Sequence, residues 1–323
     1  MKVLDAADTR ARIPYLELAT ALQAMLRHKR AGTAYAPSRL IVPLAHGGTL
    51  LVMPATDETL AITKLVTVHR GNPALGLPSV QAEVIVMDAR TGRRLCQLDG
   101  ATVTAHRTAA LTLLAARLLA PHAHGPLLII GGGVQGRAHL EAFAAGLPVR
   151  QVFIASRTPA RAQALAHHAA ELGLEATVVA HADEVVGQAG WIVAATTSTK
   201  PVFTEPVRAD AFVAGVGAYN HHMAELPSTL VREAAANHRL FVDSLDGAQA
   251  EAGDLIQAGV DWNGVRPLEM MVPEKVIENE IEQSHVAAGV IGPVVFKSVG
   301  HALWDLAAAR LAVQQDKVWP GQP

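Results

Sequence analysis

Apolar and polar positions along this chain change period near its middle. Between Tyr15 and His28 the apolar residues recur at helical spacing and predict a helix. Strand-like runs follow at Arg39–Pro43, Thr49–Ala55, Leu60–Val68 and Ser79–Asp88, and Asp88-Ala-Arg-Thr-Gly92 reads as a turn with glycine as its turn residue. A helix is expected after Ala105, with an alanine-rich body from Thr108 to Leu119. Residues 1–120 therefore predict an α+β domain. The stretch from Pro121 to Pro126, PHAHGP, breaks the pattern and suggests a domain boundary. From Leu127 onward strands alternate with helices. The strands are expected at Leu127–Ile130, Gln151–Ser156, Thr177–Ala180, Trp191–Ala195, Phe212–Val216 and Leu240–Asp243. That alternation predicts an α/β domain with a doubly wound parallel sheet over residues 121–293. Val294–Leu311 reads as a short strand and a helix starting near Gly300, and residues 294–323 are assigned to the first domain.

The run LLIIGGGVQGRAHLEAF, Leu127 to Phe143, places Gly131, Gly133 and Gly136 between the expected strand and helix. Glycines spaced G-x-G-x-x-G are weak evidence alone. In the order strand, turn, helix they form the dinucleotide-binding fingerprint. Gly131 allows the tight turn, Gly133 lets backbone approach a pyrophosphate, and Gly136 lets the helix lie close to the strand. The anion would meet the free N–H groups at the helix start.

Composition narrows the remaining choices. Half of the residues are apolar (50%) and the net charge is only −2, with no basic block. Nucleic-acid and membrane-surface partners are not expected, and no apolar run is long enough to span a bilayer. The opening MKVLDAADTRARI lacks the apolar core of a secretory signal. Cys96 is the only cysteine, so no disulfide can form within the chain; a cytoplasmic location is expected, with Cys96 as a packing residue.

The strand QVFIAS is followed by Arg157-Thr158-Pro159-Ala160-Arg161, without a carboxylate. An acidic residue here would hold the ribose 2′-hydroxyl of NAD, whereas arginine accommodates a 2′-phosphate. NADP(H) is therefore favoured and NAD(H) remains possible. In the first domain Arg39, Lys64 and Arg107 stand in or beside apolar segments. Arg107 is expected where a strand meets a helix start. Buried cations are costly unless paired, so together they suggest an anion site for a carboxylate. His46, His69, His106, His139 and His301 are further candidates. No His, Cys or Asp grouping has metal-ligand spacing, so no metal is expected.

Seven blocks resemble the ornithine cyclodeaminase/mu-crystallin family in order and spacing. They are MPA at Met53, TKLVTVHRGNPALGLPSV at Thr63, LDGATVTAHRTAA at Leu98, IIGGGVQGRAHLEAF at Ile129, FVAGVGAYNHHMAEL at Phe212, FVDSLDGAQAEAGDL at Phe241 and VVFKSVGHALWDLAAA at Val294. The resemblance implies a Rossmann domain plus a substrate and dimerisation domain built from both chain ends, and hence a homodimer. It gives Arg39, Lys64 and Arg107 to the substrate carboxylate. It places Thr108, Val134 and Gln135 near the cofactor phosphates, and Ser156, Arg157, Thr158 and Arg161 in the adenosine-phosphate loop. Thr196, Thr197 and Ser198 follow a strand near the dinucleotide, and Ser298 and Gly300 approach the nicotinamide.

One departure from the family pattern bears on the reaction. Where cyclodeaminases carry an aspartate, this chain has Tyr219. A phenol with a reference pKa of about 10 cannot serve as counter-ion and base near neutral pH. The resemblance thus implies NAD(P)H-dependent reduction of a cyclic imine carboxylate, Δ1-pyrroline-2-carboxylate to L-proline or Δ1-piperideine-2-carboxylate to L-pipecolate. Arg107 and Lys64 are the expected catalytic groups, with Lys64 as a second carboxylate contact or as a proton relay to the ring nitrogen. The alternatives are an ornithine cyclodeaminase with recycled NAD, an open-chain amino-acid dehydrogenase, and a non-catalytic NADPH-binding protein of the crystallin type.

Overall fold

The computed structural model describes residues 1–69, 71–120, 122–274 and 292–314, the side chain at position 73 excepted. The chain divides into two compact units. One comprises residues 1–107 and the stretch from His301; the other comprises residues 108–300.

The first unit starts with strand β1 (Lys2–Val3), helix α1 (Ala6–Arg12) and helix α2 (Tyr15–Ala31). Asp5 caps α1 by accepting the Asp8 N–H, and Gly32 ends α2 at φ +70°, the left-handed cap for which glycine is suited. Strands β2 (Ala34–Tyr35), β3 (Leu40–Pro43), β4 (Thr49–Asp57), β5 (Leu60–Val68), β6 (Val80–Asp88) and β7 (Arg94–Asp99) complete a sheet ordered β1-β7-β6-β5-β4-β2, with β3 on the far part of β4. All pairs are antiparallel except β1 with β7. The period of two turns Leu60, Ile62, Lys64 and Val66 of β5 to the buried face. Lys64 lies opposite Met53 on β4 and Val84 on β6, so register alone carries a cation into the core.

Helix α3 (Gly100–Leu119) begins earlier than the sequence pattern suggests. Arg107 therefore sits inside this helix rather than at a strand-to-helix junction. The cause is local: the Asp99 carboxylate accepts the Thr102 N–H at 2.7 Å and starts the helix directly after β7. The boundary between the compact units falls within α3, ahead of the expected break at Pro121, which itself lies outside the described residues.

The second unit contains β8 (Leu127–Ile130), α4 (Val134–Gly146), β9 (Gln151–Ala155), α5 (Pro159–Glu171), β10 (Glu175–Val179), β11 (Trp191–Ala194), β12 (Phe212–Gly215), α6 (Ser228–Ala236), β13 (Leu240–Val242), α7 (Leu245–Glu251), α8 (Gly253–Ala258), β14 (Val265–Pro267) and β15 (Val294–Lys297). Its strands are all parallel, in the order β10-β9-β8-β11-β12-β15-β13-β14. This is the doubly wound arrangement, with order reversing between β8 and β11. Strands β8, β11, β12 and β15 are buried throughout, as expected for a sheet covered on both faces. Strand β15 corrects the domain assignment. The sequence reading gave it to the first domain, but Val295 pairs with Val213 and Leu240 between β12 and β13. Its four apolar-stemmed residues suit a fully buried parallel position, and the return to the first unit starts at His301. There α9 (Ala302–Gln314) packs against α2, β4 and β5.

Candidate active site

In the first unit, two of the three cations singled out by sequence meet one carboxylate that the sequence reading overlooked. Lys64 is only 2% exposed, Arg107 6% and Asp305 0%. The Lys64 Nζ lies 2.9 Å from Asp305 Oδ1 and 2.7 Å from Oδ2, with Thr104 Oγ1 at 3.4 Å. Arg107 Nε approaches Asp305 Oδ1 to 3.3 Å, an ion-pair contact without hydrogen-bond alignment. Arg39, half-buried in the loop before β3, adds to the positive field at Lys64. Burial pushes the Lys64 ammonium down to about 8; Asp305 opposes that shift, and Arg107 and Arg39 add to it. Among the described residues, the two buried cations share Asp305 as their anion, so the trio carries a net charge of plus one. Such a site favours binding of an anion. Asp305 was detectable as the lone charge in the apolar run ALWDLAAA.

In the second unit, the remaining candidates other than Thr108 lie in the loops and first helical turns that follow strands at their carboxyl ends. Residues 131–136 follow β8, 156–161 follow β9, 196–198 follow β11 and 298–300 follow β15. Because the sheet is parallel, these ends share one edge, and β9, β8, β11, β12 and β15 are consecutive neighbours along it. This is the edge at which open α/β sheets bind ligands.

The glycine loop fits a dinucleotide phosphate. Gly131 has φ +117°, and a Cβ there would lie 2.4 Å from the Ala195 carbonyl oxygen. A Cβ on Gly136 would meet the Gly131 carbonyl oxygen at 1.9 Å, so the helix can approach only without one. Gly133 faces open space: a Cβ would meet nothing within 4 Å. It also starts α4 without a side-chain cap. The first N–H groups of α4, at Val134, Gln135 and Gly136, have no intrahelical acceptor by geometry. The Gln135 side-chain oxygen is buried without a hydrogen-bond partner among the described residues, and the Val134 side chain is 72% exposed.

Beyond β9, Ser156 is half-buried and its Oγ accepts the Thr158 N–H at 3.4 Å. Arg157, Thr158 and Arg161 are exposed around the start of α5, again without a side-chain cap. A Cβ on Gly132 would lie 2.9 Å from the Arg161 backbone, so the glycine loop and this helix start are in close contact. Thr197 is exposed, and Ser198 closes its own turn by donating to the Lys200 carbonyl at 2.6 Å. Ser298 is 2% exposed and donates its hydroxyl to Asp243 Oδ2 at 2.8 Å, while the Gly300 N–H reaches the same oxygen at 2.9 Å. Asp243 therefore shapes the turn after β15. Thr108 is buried in α3, where its carbonyl accepts the Thr112 hydroxyl.

Three of the histidine candidates, His106, His139 and His301, make local contacts within the fold. His106 stacks on Tyr15 with centroids 4.4 Å apart, and its Nδ1 pairs with the Ile13 carbonyl at 3.1 Å. His139 is fully buried between the Gln135 carbonyl and the Thr112 hydroxyl, and burial pushes it down to about 4. His301 Nδ1 accepts the Leu303 N–H at the start of α9. His46 adopts φ +56° in the turn before β4, and the His69 ring fills the space where a Gly48 side chain would be.

Sequence reasoning also missed a second buried network, formed by Glu225, Asp254 and Lys297, all 0 to 2% exposed. The Glu225 carboxylate accepts backbone N–H groups after β11 and β12, and the Asp254 carboxylate accepts those of Glu225 and Leu226. The lysine ending the apolar strand VVFK was the available signal.

Comparison with known proteins places the whole chain in a family. The family model described as ornithine cyclodeaminase/mu-crystallin matches residues 1–317. The Δ1-pyrroline-2-carboxylate reductase 1 of Burkholderia multivorans is 40% identical over 318 residues, covering 96% of this chain and 94% of that protein. The Δ1-pyrroline-2-carboxylate/Δ1-piperideine-2-carboxylate reductase of Azospirillum brasilense is also 40% identical, over 312 residues, covering 96% of this chain and 94% of its own. Among solved structures, the Thermococcus litoralis Δ1-pyrroline-2-carboxylate reductase, in complex with NADH and L-proline, superposes with a TM-score of 0.83 at 27% identity over 97% of each chain. A buried cation pair in an antiparallel unit, a glycine-turn cradle in a doubly wound unit and a match along nearly the whole length lead to one assignment: the chain belongs to the ornithine cyclodeaminase/mu-crystallin family.

Proposed function

We propose that this protein is an NAD(P)H-dependent reductase of a cyclic imine carboxylate, with Δ1-pyrroline-2-carboxylate and Δ1-piperideine-2-carboxylate as its substrate class. The observation that carries this reading is the buried Lys64–Asp305–Arg107 trio with its net charge of plus one. A small ring bearing one carboxylate would neutralise it. Arg107 and Arg39 would orient the carboxylate through guanidinium contacts. Lys64, held to Asp305 and brought down to about 8, would remain mostly protonated at neutral pH and could deliver a proton to the ring nitrogen. When bound, the nicotinamide dinucleotide supplies the hydride for the imine carbon. Gly131, Gly133, Gly136 and the start of α4 would hold its pyrophosphate, flanked by Val134, Gln135 and Thr108. Thr196, Thr197, Ser298 and Gly300 would line its nicotinamide half.

The exposed Arg157 and Arg161, with Ser156 and Thr158, support NADPH over NADH, because no carboxylate stands there to hold a 2′-hydroxyl. Tyr219, 39% exposed where a cyclodeaminase would need a carboxylate, argues against release of ammonia from ornithine. A homodimer accords with β3, whose Leu40 and Ile41 are 59% and 56% exposed and suited to burial by a second copy. Light scattering on the purified protein tests that point. The reaction is tested by following dinucleotide absorbance with each cyclic imine and with pyruvate plus ammonia. Turnover of a cyclic imine supports the reading. Silence with both imines, using NADPH and NADH, refutes it.

A further inference from the structure

We propose that Glu225 is a positioning residue for the dinucleotide: its buried carboxylate clamps the loops that follow β11 and β12, and its ionisation governs how tightly the dinucleotide is held. This rests on the dinucleotide-binding reading above. Glu225 Oε1 accepts the Thr196 N–H at 2.5 Å, while Oε2 accepts those of Gly217 and Ala218 at 2.6 and 2.8 Å. These amides belong to the segments leaving two adjacent strands at the ligand-binding edge. The first segment also forms the wall of the glycine turn, because Ala195 presses its carbonyl against Gly131. The two loops touch as well, since a Cβ on Gly217 would collide with the Thr196 carbonyl.

The clamp is itself held. Asp254 Oδ1 accepts the Glu225 and Leu226 N–H groups at 2.5 and 2.9 Å, and Asp254 Oδ2 pairs with Lys297 Nζ at 2.9 Å. Lys297 closes the ring by donating to the Ala218 carbonyl at 2.6 Å. The charged groups facing Glu225 are thus Lys297 from β15 and Asp254 from α8. Two carboxylates share one ammonium in a core that apolar side chains could have filled at lower desolvation cost. Burial first, then Asp254, pushes Glu225 up to about 7, with Lys297 pulling the other way. A proton on Oε2 would displace one of the two N–H groups it accepts, and a proton on either oxygen would remove the negative charge that strengthens all three bonds. Protonation in the neutral range would therefore loosen the loops.

Two measurements test this. The first is the Kd for NADH, by its fluorescence, between pH 6 and 8; NADH lacks the 2′-phosphate that itself titrates near pH 6. If only the ionised form holds the loops, the population factor makes wild-type binding about tenfold tighter at pH 8 than at pH 6. Glu225→Gln should bind weakly and without this slope. The second is hydrogen exchange in the dinucleotide-free protein, where the amides of Thr196, Gly217 and Ala218 should exchange faster in Glu225→Gln. Asp254→Asn keeps the Oδ1 acceptor but removes the negative neighbour and releases Lys297, so the binding midpoint should move to lower pH; this variant decides the matter should Glu225→Gln not fold. A folded Glu225→Gln with wild-type Kd and slope, or an unmoved midpoint in Asp254→Asn, overturns the proposal. Wild-type protein that binds neither NADH nor NADPH overturns the dinucleotide reading itself.

Discussion

Asp305→Asn isolates electrostatics from packing, because asparagine fills nearly the same volume. The native carboxylate is 0% exposed and lies within 2.7 to 3.3 Å of two buried cations. At an effective dielectric constant near 20, a single pair at 4 Å is worth about 4 kcal/mol, and removing one partner of a buried pair costs about 3–5 kcal/mol. The substitution raises the net charge of the trio from one positive to two. We expect a loss of about 4 kcal/mol, a fall in Tm of roughly 10 °C. Asp305 also holds the Lys64 ammonium up, so its removal should carry Lys64 further below about 8. If protonated Lys64 serves the reaction, wild-type kcat/KM falls as pH rises through about 8, and in the variant that alkaline limit moves toward acid. Lys64→Met combined with Asp305→Asn returns the net charge to one positive and should recover most of the lost stability. Calorimetry and a pH–rate profile provide the readouts. A single variant that melts within about 2 °C of wild type, with its alkaline limit unmoved, would refute the assignment of Asp305 as the shared counter-charge.

Three further outcomes are expected. Arg107→Ala removes a charge-assisted contact worth about 1.5–3 kcal/mol, so KM for the imine should rise roughly 10- to 100-fold; a near-native KM would exclude it from the carboxylate clamp. Arg157→Ala should weaken NADPH at least about tenfold and leave NADH within about twofold, by fluorescence titration; equal effects would remove it from the 2′-phosphate. His139 goes from 6.5 to about 4 on folding, so the unfolded chain binds the extra proton between those values. Its contribution to stability is thus present above pH 6.5 and lost as pH falls toward 4. Urea unfolding at pH 7 and 5 should differ by about 2 kcal/mol from this group, and His139→Asn should reduce the difference.

Local chemistry was legible wherever it was contained within a short stretch. The glycine turn after β8 and the arginines after β9 declare their position because strand, turn and helix start adjoin in sequence. Lys64 was visible as the charge within the apolar run AITKLV, and the alternating burial of β5 puts it in the core. Long-range partners were not legible. Asp305 stands 241 residues from Lys64, and only the return of α9 onto β5 makes it a counter-ion. Glu225, Asp254 and Lys297 likewise come from three separate segments, and none has its partner at helical or strand spacing. The start of α3 was missed because a single capping aspartate outweighed the β-branched residues after Gly100. Strand β15 was misassigned because its short apolar run fits either unit until its neighbours are known.

The placement of β15 also constrains the order of assembly during synthesis. It is an interior strand, flanked by β12 and β13, yet both neighbours leave the ribosome many residues earlier. A nascent chain ending near residue 290 would carry two sheet edges with no strand between them, and a Lys64 still lacking its carboxylate. Neither unit can close until Val294 to Gln314 has emerged, so folding waits on contacts of high sequence separation. Until then the exposed edges are available for pairing with other chains, and this span is where shortening the chain would do the most damage.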